Sequence, residues 1–220
     1  MGLSDVRSYL NGVLLDLGAH GMRAVAADGH RLALSVSEKV DINQIDKKVI
    51  LPRKSVMELM RLLGQEEEIT LCINDQRIKV MMPDLIFTSK LINAQYPDYN
   101  RLITRGALTA VGDREAIKQA LTRTAILSNE KFRGVRFQLE ENRLCLSANN
   151  ADQEHAEEIV PLEYNHTPIE MAFNVAYLLD ILSAMAVKTI RFVFSDANSG
   201  LVIEPVDGDS SIYVVMPLRL

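Results

Sequence analysis

Leu51-Pro52-Arg53-Lys54-Ser55-Val56-Met57-Glu58-Leu59 reads as the end of a strand running into a helix. Ala172-Phe173-Asn174-Val175-Ala176-Tyr177-Leu178-Leu179-Asp180 reads the same way about 121 positions later. Further on, Ile69-Thr70-Leu71-Cys72-Ile73-Asn74-Asp75 falls against Ile190-Arg191-Phe192-Val193-Phe194-Ser195-Asp196 in the same register. Each is an alternating strand that ends in a turn-forming Asp. Two element types agreeing in one register mark an internal repeat. Outward from this pair, Gly12-Val13-Leu14-Leu15-Asp16-Leu17 parallels Gly134-Val135-Arg136-Phe137-Gln138-Leu139. The alternating runs 22–26 and 144–148 follow after short turns, so each copy is predicted to open on a hairpin.

The copies differ at the front. Before its hairpin the second has Ala107-Leu108-Thr109-Ala110-Val111, then Asp113 as an N-cap, then a predicted amphipathic helix over 114–127. Its apolar positions are Ala116, Ile117, Ala120, Leu121, Thr124 and Ala125. The first copy has only Met1-Gly2-Leu3-Ser4 there, so it is expected to lack a strand and helix of about two dozen residues. Such a unit should have an unpaired sheet edge and an uncovered core face. The chain is therefore expected to be part of a larger repeat-built molecule, with an incomplete domain at 1–103 and a complete one at 104–220. The boundary is placed near the polar stretch Asn93-Ala94-Gln95-Tyr96-Pro97-Asp98-Tyr99-Asn100.

The chain has 220 residues, 48% of them apolar, enough for real cores in two domains. No apolar run approaches the roughly 18 residues of a membrane span, and the start lacks the basic and apolar regions of a signal peptide. A cytoplasmic protein with no membrane partner is expected. Cys72 and Cys145 lie in apolar alternating strands and are expected to be buried, reduced thiols. Neither CxxC nor clustered Cys/His spacing occurs, so no metal and no cofactor is expected. The net charge of −5 argues against bulk adsorption to nucleic acid. Placement qualifies that sum. Arg53, Lys54 and Arg61 fall on the first predicted helix and Arg114, Lys118 and Arg123 on the second, while acidic residues gather at 66–68 and 152–158. Basic helices on an acidic molecule suggest one positive surface for a polyanion; ordinary solvated helix faces are the plain alternative.

Asp28-Gly29-His30-Arg31 is the most enzyme-like string, since Asp28 beside His30 could orient an imidazole as the base of a hydrolase. Its position between two alternating runs reads first as a tight hairpin turn. The equivalent place in the second copy, Asn149-Asn150-Ala151-Asp152, is also a turn and has no His. No nucleophile elbow, phosphate-binding loop or HExxH accompanies it, so catalytic residues are expected to be none. The tail Ser211-Ile212-Tyr213-Val214-Val215-Met216-Pro217-Leu218-Arg219-Leu220 is a strand leading into apolar residues. Pro217 should end its pairing and leave Met216, Leu218 and Leu220 at a surface or cleft. The readings are a strand tucked into the core or an apolar groove for a partner's short peptide.

These strings carry a family resemblance over essentially the whole chain. They are Asp5-Val6-Arg7 with Tyr9-Leu10-Asn11-Gly12, Ala26-Ala27-Asp28-Gly29-His30-Arg31-Leu32-Ala33, Pro52-Arg53-Lys54, Phe87-Thr88-Ser89-Lys90-Leu91 and Tyr96-Pro97-Asp98-Tyr99. They continue with Ala125-Ile126-Leu127-Ser128-Asn129-Glu130-Lys131-Phe132-Arg133-Gly134-Val135-Arg136, Phe173-Asn174-Val175 and Tyr213-Val214-Val215-Met216-Pro217. Together they resemble the bacterial sliding clamps, the beta subunits of replicative DNA polymerase III. The resemblance implies an α+β DNA clamp fold, with tandem domains, antiparallel sheets outside and helices lining the DNA-facing side. It also implies a processivity factor and not an enzyme. Duplex DNA would be held without sequence specificity, while polymerase subunits, the clamp loader and repair proteins bind through short peptides. Full-length members close a head-to-tail ring; without a first domain the ordinary dimer is not expected, and three two-domain chains would be the other way to close it.

Carried over residue by residue, the resemblance implies a peptide groove between the second and third clamp domains. Its apolar pocket would be Leu10, Ala27, Gly29, His30, Arg31, Leu32, Pro97, Arg101, Leu102, Val214 and Met216. The adjoining channel would be Asn174, Tyr177, Gly200, Pro217, Leu218 and Arg219. The residues facing DNA would be Arg53, Lys54, Arg61, Arg114, Lys118 and Arg123, with Arg7 and Tyr9 on a DNA-touching loop.

Overall fold

A computed structural model describes residues 1–2, 5–19, 21–37, 40, 46–63, 68–208 and 210–219. Leu220 and most of the acidic stretch 66–68 lie outside the described residues. Contacts divide the chain into two compact units, Met1–Asp98 and Tyr99–Leu220.

In the first unit a 3-10 turn at Ser8–Asn11 leads into β1 (Gly12–Gly18), β2 (Gly21–Ala27), β3 (Arg31–Ser37) and β4 (Lys47–Pro52). These pair antiparallel in the order β4-β1-β2-β3. Register sets Leu14 opposite both Val25 and Ile50, three buried side chains in a row. Gly12 lets β1 and β4 approach: a Cβ there would lie 2.4 Å from the Leu51 carbonyl oxygen. Helix α1 (Arg53–Leu62) follows β4 directly, and then β5 (Thr70–Ile73), β6 (Arg77–Met81) and β7 (Ile86–Lys90) form a second sheet. Leu15, Val49, Leu51, Leu59, Ile78 and Val80 make the core. Among the described residues β5 pairs only with β6, and α1 buries only Leu59, leaving Met57 51% and Met60 71% exposed.

The second unit begins with a 3-10 turn at Tyr99–Leu102 and continues through β8 (Leu108–Asp113), α2 (Arg114–Thr124), β9 (Gly134–Glu140), β10 (Arg143–Asn149) and β11 (His155–Pro161). β12 (Ile169–Asn174), α3 (Val175–Ala184), β13 (Thr189–Phe194), β14 (Leu201–Pro205) and β15 (Ile212–Val215) complete it. Its sheets run β15-β14-β13-β8 and β11-β10-β9-β12, all pairs antiparallel. Alternation sends Val135, Phe137 and Leu139 of β9 inward, where Phe137 meets Phe173 and Phe192 edge-on at 5.4 and 6.1 Å. Helix α3 brings Val175, Leu178, Ile181 and Leu182 into that core, and α2 brings Ile117, Ala120 and Leu121. The Asp113 side chain accepts the Ala116 N–H at 2.8 Å and Asn174 the Ala176 N–H at 3.0 Å, so both helices start on capped ends.

Four details depart from the sequence reading. The helix expected over 114–127 tightens to 3-10 after Thr124, because Ser128 returns both its N–H and its hydroxyl to the Ala125 carbonyl. Ala116, expected on the apolar stripe, is exposed. Helix caps Pro52 and Asn174 share the spacing of the strand starts Gly12 and Gly134, one residue longer than the match of Leu51 to Ala172 gives. The cysteines are not core residues: Cys72 is exposed and Cys145 only half-buried. Strand alternation is the reason, since Leu144 and Leu146 take the inward face of β10 and turn Cys145 toward Gln138 and Ile159 on the other.

Candidate peptide-binding and DNA-facing residues

In the second unit the peptide candidates gather around the end of β15. Strand pairing stops at Val215, and Met216 is 43% exposed. Beyond Pro217 the Leu218 N–H donates to the Ala172 carbonyl at 2.7 Å, pinning the tail to the edge of β12. Gly200 makes room for this arrangement, since a Cβ there would stand 3.0 Å from Val214 and 3.3 Å from the Met216 sulfur. The turn before Gly200 is fixed by Asp196, whose carboxylate accepts the Asn198 and Ser199 N–H groups and the Ser199 hydroxyl. The hydroxyl, then those amides, hold this carboxyl below its ordinary range.

Asn174 and Tyr177 sit on the first turn of α3. Loop 129–133 is bolted beside them. The Asn129 side chain accepts N–H groups of Lys131 and Phe132, the Asn174 amide reaches the Phe132 carbonyl at 3.5 Å, and the Val175 N–H donates to the Arg133 carbonyl at 2.8 Å. Arg133 takes φ 47, and Phe132 is 62% exposed under the Lys131 ammonium. The sequence signalled this loop only as one matching string, with no role for Phe132. Arg101 and Leu102, in the opening turn of the unit, are exposed.

In the first unit Leu10, Ala27 and Leu32 are buried, whereas Gly29, His30 and Pro97 are exposed. The hairpin turn is built by Asp28. One carboxylate oxygen accepts the His30 and Arg31 N–H groups at 3.1 Å, and the other accepts Arg31 Nε at 2.9 Å. Burial pushes this carboxyl up, but Arg31 and the amides outweigh it and leave it below the ordinary range. Gly29 at φ 89 is the residue such a turn requires. Asp28 thus grips the turn backbone and the Arg31 guanidinium.

The DNA-facing candidates fall into two kinds. Arg53 and Lys54 open α1, with Lys54 exposed, and Arg61 ends it with Glu58 at 3.5 Å. Lys118 is half-buried on α2. Arg114, on the same helix, turns its guanidinium to the carbonyls of Leu182 and Val187 at 2.8 and 2.7 Å. Arg123 grips both oxygens of Glu158 at 2.6 and 2.9 Å, which the sequence spacing could not reveal. Arg7 is clamped by Asp5, and Tyr9 meets Tyr96 edge-on at 5.7 Å. Burial pushes the Tyr96 hydroxyl up to about 12, and it has no hydrogen-bond partner among the described residues.

Comparison with known proteins settles the family. The model described as DNA polymerase III beta subunit, central domain, matches residues 1–98, and the one described as its C-terminal domain matches residues 104–219. The chain belongs to the sliding-clamp family. It is 45% identical to the beta sliding clamp of Pseudomonas aeruginosa and 44% to that of Escherichia coli, each over 100% of this chain and 60% of the relative. A crystal structure of a sliding clamp from Pseudomonas aeruginosa bound to griselimycin superposes with a TM-score of 0.96 at 45% identity. It covers 100% of this chain and 60% of that one. The chain thus spans about 60% of the length of the sliding clamps it matches. Among the described residues no group of acidic, His and Cys side chains could hold a metal, and no helix is long and apolar enough to cross a membrane.

Proposed function

We propose that this chain serves as the peptide-holding part of a sliding clamp, taking the short Gln-Leu-Phe-type motifs of polymerase, clamp-loader and repair proteins and keeping them beside duplex DNA. The observation that carries it is the end of β15. An adaptable thioether, Met216, stands exposed on a backbone pinned on one side by Leu218 and Ala172, against a glycine that leaves space beside Val214. Asn174, Tyr177, Pro217, Leu218 and Arg219 belong to the same proposed site. The family's pattern adds Arg101 and Leu102 there, and in the first unit it proposes Leu10, Ala27, Gly29, His30, Arg31, Leu32 and Pro97 as peptide contacts. One buried leucyl or phenyl anchor contributes about 1.5 to 3 kcal/mol, so a few anchors give micromolar binding. Toward DNA, Arg53, Lys54, Arg61 and Lys118 supply the sequence-independent attraction to phosphate, which weakens with salt.

Titration with a labelled Gln-Leu-Phe-type peptide tests this. Saturable micromolar binding that weakens about tenfold or more in Met216→Ala is expected, the equivalent of one lost anchor. Absence of saturable binding, or binding indifferent to Met216→Ala, overturns the proposal.

A further inference from the structure

A cleft of about 640 Å³ lies in the second unit where β9, β10 and β11 meet the tail. Among the described residues its ionisable lining is entirely basic: Arg136, His155 and Arg219, with no carboxylate. Ser147, Asn149 and Gln153 add polar groups, and Gln153 is held at φ 64, a conformation that costs a non-glycine residue about 1 kcal/mol or more and is kept where the surroundings impose it. Glu170 pairs with Arg136, and Glu157 stands 3.7 Å from His155, both outside the lining. On a chain with net charge −5, a cleft with only basic ionisable lining is a selective feature.

The cleft continues from the proposed peptide site. Leu218 and Arg219 belong to both, and Asn174 stands directly opposite Gly134, another lining residue, in the β12–β9 register. The geometry points to a second recognition site here for an acidic segment of the partner, continuing the chain of the same short apolar motif. Carboxylates of that segment meet Arg136 and Arg219 while the side-chain amides of Asn149 and Gln153 donate to it. This rests on the peptide-holding reading above, and it adds what flanks the motif: Asp and Glu.

Four labelled peptides test it: the apolar motif alone, followed by three Glu, preceded by three Glu, and flanked by Gln on both sides. The expected result is that one Glu-bearing peptide binds about three- to tenfold tighter than the Gln-flanked one, the range for one or two exposed ion pairs, and that 0.5 M salt removes the gain. Arg136→Gln and Gln153→Glu should each abolish the gain while the motif alone binds as before. Equal binding of all four peptides overturns the second site and leaves the peptide-holding reading standing. Failure of the motif alone to bind overturns both. A gain that survives both substitutions, or a short oligonucleotide that displaces the Glu-bearing peptide without displacing the motif alone, also overturns it.

Discussion

The guanidinium of Arg114 donates to the carbonyl of Leu182 at 2.8 Å, in the last turn of α3, and to Val187 just beyond it at 2.7 Å. The last carbonyls of a helix have no partner within it, so a cation arriving from another helix both satisfies them and answers the negative end of the dipole. This is a structural task for a residue whose sequence position suggests a DNA contact. Arg114→Met should therefore destabilise the second unit by about 1.5 to 3 kcal/mol, the range for hydrogen bonds to a charged group. Lys118→Ala should change stability by less than about 0.5 kcal/mol yet lower the salt slope of DNA binding by about one. Urea melts and salt-dependent DNA titrations on both variants would separate the roles; equal melts would refute the assignment of Arg114.

Asp5 presents a titration that can be followed directly. The Arg7 side chain, then its backbone N–H, pull the carboxyl from 3.8 down to about 2. With the folded value depressed, any stabilisation from this pair is fully present above pH 3.8 and is lost as pH falls toward 2. Carbon-detected NMR titration should place the midpoint near 2, and Arg7→Gln should return it toward 3.8. An unchanged midpoint in Arg7→Gln would remove Arg7 as the cause.

The two thiols should differ in reactivity. Cys72 is exposed on β5, whereas burial, helped by Glu157, pushes the Cys145 thiol up. The thiolate is the reactive form, so a raised value means less of it at a given pH. Labelling with a thiol reagent at pH 8 should modify Cys72 first, and Cys72→Ser should leave only a slow phase. A fast phase surviving in Cys72→Ser would contradict this.

Strand alternation made the antiparallel strands of the α+β fold legible from sequence, because it is written in adjacent residues. The hairpin at Asp28-Gly29 was readable for the same reason: an Asx turn is written in adjacent residues. What spacing could not reveal was the partner of a long charged side chain. Arg123 finds Glu158 and Arg114 finds Leu182 only once α2 is packed against β11 and α3, and no i, i+4 rule reaches that far. The thiols leave the core because an apolar neighbourhood in sequence is not an apolar face. Leu144 and Leu146 flank Cys145 in sequence but point the opposite way.

Capping offers a last contrast, between two residues with one local task. Asp113 and Asn174 each accept an N–H from the first turn of a helix, so replacing either by Ala should cost about 1 kcal/mol. Their surroundings differ. Asp113 joins β8 to α2, while Asn174 also reaches the Phe132 carbonyl of loop 129–133 and faces Gly134 across the strands. Asp113→Ala should therefore lower the melting midpoint and leave peptide affinity within about twofold, since its effect is confined to helix stability. Asn174→Ala should lower both, and Asn174→Asp, which keeps the acceptor but loses the amide donor, should restore the helix without restoring the tie to Phe132. Thermal melts paired with peptide titrations on the three variants decide it: full recovery of peptide binding in Asn174→Asp would show that the amide donor contributes nothing to the site.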